Sequence, residues 1–149
     1  MLSKETIKNV IISNRVFLHS SQQATLREKR KQKKIDDSFA LIITGVRRCG
    51  KSTLMNQLLK KQKKGYYLNL EDPRLGGFDF SDFNKVEEVM KEIYGGGGVY
   101  FFDEIQNIPE WERFIRYLVD RKEKVVLTGS NASILSRELG TKLTGRHLS

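Results

Sequence analysis

Four short runs of almost continuous apolar side chains constrain this sequence more than any other feature. Phe39-Ala40-Leu41-Ile42-Ile43-Thr44, Tyr66-Tyr67-Leu68-Asn69-Leu70, Val99-Tyr100-Phe101-Phe102 and Val125-Val126-Leu127-Thr128 are each of strand length and rich in β-branched or aromatic residues. A strand with one wet face alternates in polarity. One that is apolar at successive positions is covered on both faces, as strands of parallel sheets are. Segments of helical period lie between the runs, over 51–63, 83–94 and 109–121. Pro109 suits the first turn of the last of these, where a missing N–H costs nothing. Trp111, Phe114, Ile115 and Leu118 form its buried stripe. Gly95-Gly96-Gly97-Gly98 breaks the chain before the third run. Strand and helix alternate four times, which predicts an α/β layered sheet with right-handed crossovers.

Two further helices flank this core. Ile7, Val10, Ile11, Asn14, Phe17 and Leu18 recur at three- and four-residue steps, predicting a helix over 3–26. A basic run, Arg27-Glu28-Lys29-Arg30-Lys31-Gln32-Lys33-Lys34, follows as an exposed helix end or linker. A short helix is expected over 132–139. The division is a helix and basic linker at 1–38, packing on a core at 39–149. The 149 residues suffice for one core without disulfides.

The net charge of +9 is unevenly placed. Residues 1–64 hold 16 Lys and Arg against 4 Asp and Glu, whereas 65–149 hold 11 against 14. A basic half fits either a solvated Lys-rich surface or a nucleic-acid or protein partner. One cysteine, Cys49, excludes an intramolecular disulfide framework and suits a reducing compartment. No stretch approaches the ~18 apolar residues of a membrane span. The expected setting is cytoplasmic, away from membranes.

Gly45-Val46-Arg47-Arg48-Cys49-Gly50-Lys51-Ser52 matches G-x-x-x-x-G-K-[ST] at every fixed position. It follows an apolar strand and opens an amphipathic helix carrying Leu54, Met55, Leu58 and Leu59. In that setting backbone N–H groups converge on a β-phosphate, aided by the helix dipole. Lys51 is expected between the β- and γ-phosphates, the Ser52 hydroxyl on magnesium, and Thr53 near the α-phosphate. Cys49 has two readings: a thiol whose pKa the helix N-terminus lowers, or a small side chain turned away from nucleotide.

The third apolar run ends in Asp103-Glu104. Beside a phosphate-binding loop, Asp103 can hold the magnesium hydration shell, and Glu104 can orient or deprotonate an attacking water. The fourth run leads into Thr128-Gly129-Ser130-Asn131. Thr128, Ser130 or Asn131 could sense the γ-phosphate or hold the attacking water, or serve as turn and cap residues. Arg146 fits a finger that stabilises γ-phosphate charge, in cis or from a neighbouring subunit, or a plain surface arginine.

Together, the loop at 45–52, Leu68-Asn69-Leu70-Glu71-Asp72-Pro73-Arg74, Asp103-Glu104-Ile105-Gln106 and Leu127-Thr128-Gly129-Ser130 resemble a group of prokaryotic AAA-type P-loop ATPases that carry an uncharacterised C-terminal domain. The resemblance runs from about Phe39 onward. It implies a P-loop NTPase three-layer sandwich, mostly parallel and of the additional-strand type, with the Asp103 strand separated from the P-loop strand by an inserted one. It implies ATP and Mg2+ as ligands, Glu104 as catalytic glutamate, Ser130 as sensor, and a recurring Gly-Arg at Arg146. Adenine over guanine rests on this resemblance; no Asn-Lys-x-Asp motif occurs. It also implies a fifth core strand starting at about His147, so that the end of the chain at Ser149 would cut it and bare the edge of the P-loop strand. Rival readings are a nucleotide-operated switch, a small-molecule kinase and a nucleic-acid-binding module.

Lys51→Ala is expected to weaken Mg-nucleotide binding severely. Calorimetry showing unchanged affinity would remove the phosphate-loop assignment.

Overall fold

The computed structural model describes residues 1–20, 40–44, 51–129 and 145–148. Helix α1 (Lys4–Ser20) is followed by β1 (Ala40–Thr44), α2 (Lys51–Lys60), β2 (Gly65–Asn69), α3 (Asp82–Tyr94), β3 (Val99–Asp103), α4 (Trp111–Asp120), β4 (Val125–Gly129) and β5 (Gly145–Leu148). The strands form one sheet in the order β2-β3-β4-β1-β5, every pair parallel. β4 is the inserted strand between β1 and β3. The helix expected over 132–139 and the basic run at 27–34 lie outside the described residues.

The continuous apolar runs have the cause inferred for them. On one face Ile42, Tyr66, Leu68, Tyr100, Phe102, Val125 and Leu127 pack with residues of α1, α3 and α4. On the other, Leu41, Ile43, Tyr67, Val99, Phe101 and Val126 pack with Met55, Leu58 and Leu59 of α2. Odd and even positions of each strand therefore serve different layers, and both layers are apolar. The α4 stripe is as expected, with Trp111, Phe114, Ile115 and Leu118 buried and Phe114 stacked on Phe83 at 4.3 Å between ring centroids.

Several boundaries differ from expectation, three of them informatively. α4 begins at Trp111, and Glu110 before it is left-handed (φ 61), so Pro109 precedes the helix instead of occupying its first turn. α3 begins at Asp82, whose fully buried carboxylate accepts from the backbone N–H groups of Leu2 and Asp79 and from Lys85 Nζ. β5 starts at Gly145, not His147, and pairs Ala40–Ile43 with Gly145–Leu148. β1 is thus flanked on both sides, and its expected bare edge is not found over those residues.

The Gly95–Gly98 break is built around Tyr66. Its hydroxyl donates to the Gly95 carbonyl at 2.6 Å and accepts from Gly98 N–H at 3.1 Å. A Cβ at Gly98 would lie 2.8 Å from the Tyr66 ring, so only glycine fits.

β2 is an edge strand, and edges left bare invite pairing with another chain. α1 covers it. Asn14 Oδ1 accepts from Asn69 N–H at 2.9 Å, and Arg15 Nη1 donates to the Gly65 carbonyl at 2.9 Å. Ile7, Val10 and Ile11, all fully buried, complete the seam. Asn14 is the polar member of an otherwise apolar stripe because it satisfies strand backbone. No helix among the described residues is long and apolar enough to cross a membrane.

Asn14 is itself held by Asp72, which accepts from Asn14 Nδ2 at 3.0 Å and from the Arg74 guanidinium at 2.8 and 3.0 Å. Arg74 also donates to Ser13 Oγ at 2.7 Å. The Arg74 guanidinium draws the Asp72 carboxyl below its ordinary 3.8, to about 2. A carboxylate whose folded pKa is depressed contributes stability above its unfolded value and loses it as pH falls through the folded one. Asp72→Asn is therefore expected to lower the melting temperature at neutral pH, the gap from wild type closing between about pH 4 and about pH 2. A gap independent of pH across that window would show that Asp72 acts without its charge.

Candidate functional site

All five strands run the same way, so their carboxyl ends meet at one rim, where open α/β sheets bind ligands. β1 reaches this rim at Thr44, and α2 departs at Lys51. The strand and helix expected on either side of residues 45–50 are therefore found. Residues 45–50 lie outside the described residues, and Lys51, Ser52 and Thr53 are described in backbone only, as the first turn of α2. Ser130 also lies outside. Arg146 lies in β5 opposite Leu41, three positions before Thr44 and roughly 10 Å back from the rim along the strand.

The two acids are fully in view. Asp103 ends β3 opposite Asn69 of β2, on the face that packs against α2. Both oxygens of its carboxylate accept hydroxyls. Thr128 Oγ1 of β4 donates to Oδ1 at 2.5 Å, and Tyr67 Oη of β2 donates to Oδ2 at 2.7 Å. Asp103 is 6% exposed, and Thr128 is fully buried. Burial, reinforced by the Asp103 charge, pushes the Tyr67 phenol well above its ordinary pKa, so it remains a donor. The Asp103 carbonyl accepts from Leu70 N–H at 2.9 Å, which fixes the start of the following turn to the same rim.

Glu104 leaves the strand in a left-handed conformation, φ 57 and ψ 53. Such a conformation costs a non-glycine residue on the order of 1 kcal/mol and persists where surrounding contacts enforce it. They do so here. Its N–H donates to Thr128 Oγ1 at 2.9 Å, and its carbonyl accepts from Asn107 N–H and Nδ2 at 3.3 and 3.1 Å. Gln106 Nε2 donates to Glu104 Oε1 at 2.9 Å. With this conformation the strand's alternation of side chains ends at Asp103. Glu104 is nonetheless buried, at 6% exposure.

Thr128 differs from its expected use. Its hydrogen goes to Asp103, and it accepts the Glu104 N–H, so the hydroxyl fixes both acids in place. Tyr67 and Gln106 were not singled out from the sequence as site residues. Tyr67 sits inside an apolar run and reads as core; the only signal is a phenol at an odd position beside a strand that ends in Asp. Gln106 lies two residues past Glu104, a spacing without regular periodicity. Its own Oε1 is buried and has no hydrogen-bond partner among the described residues.

Residues 37–149 match the family model for the AAA domain. The chain belongs to the AAA domain family. An uncharacterised protein of Methanocaldococcus jannaschii is 32% identical over 151 residues, covering 99% of this chain and 33% of that protein. An uncharacterised protein of Haemophilus influenzae is 36% identical over 127 residues, covering 76% of this chain and 30% of that protein. The chain spans about a third of the length of these curated relatives. AAA membership supports nucleotide binding and agrees with the parallel sheet and the strand order around β1. α1 precedes the matched AAA region, yet it packs into the same core.

Replacing Thr128 by Val would keep its shape and leave Asp103 Oδ1 and the Glu104 N–H without their hydroxyl. Unpaired buried groups of this kind cost about 1–3 kcal/mol each, more when charged. A loss on the order of 3 kcal/mol is expected in denaturant unfolding, with Thr128→Ser retaining most of the stability. Wild-type stability of Thr128→Val would show that the hydroxyl holds neither group.

Proposed function

We propose that this domain binds Mg-ATP at the rim beyond β1 and hydrolyses it. The observation that carries the reading is the pair of adjacent acids, Asp103 fixed by two hydroxyls and Glu104 in a strained left-handed turn. They stand at the same rim as the β1–α2 connection bearing the phosphate-loop sequence.

The residues fit magnesium in the manner P-loop enzymes use. Magnesium keeps several waters and takes few protein ligands, so a cage of carboxylates is not required. An ionised carboxylate offers about four lone-pair sites. Tyr67 and Thr128 take one on each Asp103 oxygen, which leaves acceptors for metal-bound water. Ser52 is the proposed direct ligand, and Asp103 the outer one. Bound magnesium supplies charge neutralisation on the phosphate oxygens.

Backbone N–H groups of Gly45, Val46, Arg47, Arg48, Cys49 and Gly50 are the proposed phosphate cradle, with Lys51 on the β- and γ-oxygens and Thr53 near the α-phosphate. Glu104 takes a proton from the attacking water as that water's oxygen bonds to the γ-phosphorus. The bond to the β–γ bridging oxygen breaks, and its electron pair leaves on ADP. Ser130 is the proposed γ-phosphate sensor. Arg146 is proposed to stabilise γ-phosphate charge, in cis or on a neighbouring subunit's nucleotide.

Glu104→Gln tests the chemistry. It is nearly isosteric and keeps a partner for Gln106, so Mg-ATP binding is expected to survive while turnover falls about 10²–10⁴-fold. Wild-type hydrolysis by that variant, in the full-length protein with any required partner, would exclude Glu104 as the base. A nucleotide-operated switch would then be the better reading.

A further inference from the structure

Tyr67 occupies an unusual place in the core. It belongs to one buried apolar cluster with Leu18, Met55, Leu58, Leu59, Phe101 and Val126, in the layer between the sheet and α2. Its position opposite Phe101 in the β2–β3 register is two residues short of Asp103. Yet its hydroxyl reaches Asp103 Oδ2 at 2.7 Å, with 4% of the residue exposed. A phenylalanine would fill the same space. The hydroxyl is needed only if something must hold that oxygen.

The geometry around Asp103 shows what is being held. Thr128 alone would leave the carboxylate free to swing about its bond to Cβ, because terminal torsions of this type are broad. A second donor on the other oxygen, from the strand on the opposite side of β3, removes that freedom. Tyr67 comes from β2 and Thr128 from β4, so the plane of the carboxylate is set by both neighbours of its own strand. The Tyr67 ring also packs in one cluster with the body of α2, the helix that starts at Lys51 and Ser52. Any displacement of α2 against the sheet bears on the same ring.

We propose that Tyr67 is a positioning residue for magnesium, orienting Asp103 toward the start of α2. This inference rests on the Mg-ATP reading above and assigns a residue to that site that the phosphate-loop and acidic motifs do not contain. Outer-shell partners of direct metal ligands typically change metal affinity or activity by about 10–100-fold when removed, and Tyr67 acts through an acid that holds metal-bound water, so the low end of that range is expected.

The test is Tyr67→Phe in the full-length protein, which deletes one oxygen and keeps the ring. Nucleotide affinity is measured by calorimetry in EDTA and across a Mg2+ titration, with Asp103→Asn alongside and thermal melts to establish folding. The expected result is unchanged affinity in EDTA, and a Mg2+ concentration for half-maximal enhancement of binding raised about tenfold. Turnover at saturating Mg2+ should move less than that half-saturation point. A purely structural hydroxyl would lower the melting temperature and leave the Mg2+ titration where it was, and that result overturns the proposal. So does a half-saturation that falls, since the hydroxyl would then compete with metal-bound water. If Asp103→Asn shifts the titration and Tyr67→Phe does not, only the role of Tyr67 fails. If neither shifts it, the magnesium reading of the site fails with it.

Discussion

Every strand of the sheet points the same way, and the remaining features depend on that constraint. Parallel strands need a crossover between each pair, and the crossovers cover both faces of the sheet with helices. The strands must then be apolar at successive positions, and no polar side chain has a comfortable place along their length. Polar chemistry is left to the rims. At the carboxyl rim residues distant in sequence arrive together: Asp103 and Glu104 at the end of β3, Thr128 from β4, and the hydroxyl of Tyr67, which reaches them from the middle of β2.

Burial of Asp103 at that rim would be costly if its oxygens lacked partners. Two hydroxyls meet the need, and they come from the two adjacent strands. Thr128 then accepts the backbone N–H of Glu104, so the same oxygen that holds one acid also supports the left-handed turn at the other. A site assembled this way is rigid because its parts belong to three strands of one hydrogen-bonded ladder. Catalytic sites built on strands hold geometry better than sites built on loops.

At the opposite flank, α1 solves a different problem. The sheet order makes β2 an edge, and the helix ahead of the AAA region closes it with one amide and one guanidinium aimed at strand backbone. Asp72 and Arg74, within the segment following β2, lock that helix in turn. This seam ends one residue from the backbone contact between Leu70 and Asp103, so the edge cover and the site share a common support.

The sequence alone determined the layers and the parallel direction, and it supplied the motif on which a phosphate site is proposed, because each depends on local pattern. Almost continuous apolarity reports two covered faces, and a glycine-framed loop sequence between strand and helix is that motif. Asp103-Glu104 was legible for the same reason, as acids terminating an apolar strand. The strand order rested on family resemblance and was settled by pairing: β4 lies between β1 and β3, and β5 begins two residues earlier than expected. Asn14 read as an imperfection in an apolar stripe until the edge strand beside it was known. Tyr67 read as core until its hydroxyl met Asp103, 36 residues away in sequence. Pattern along a chain records which face a residue is buried on. It does not record which neighbour waits at the end of the side chain, because that depends on strand order and register, and only the assembled sheet fixes those.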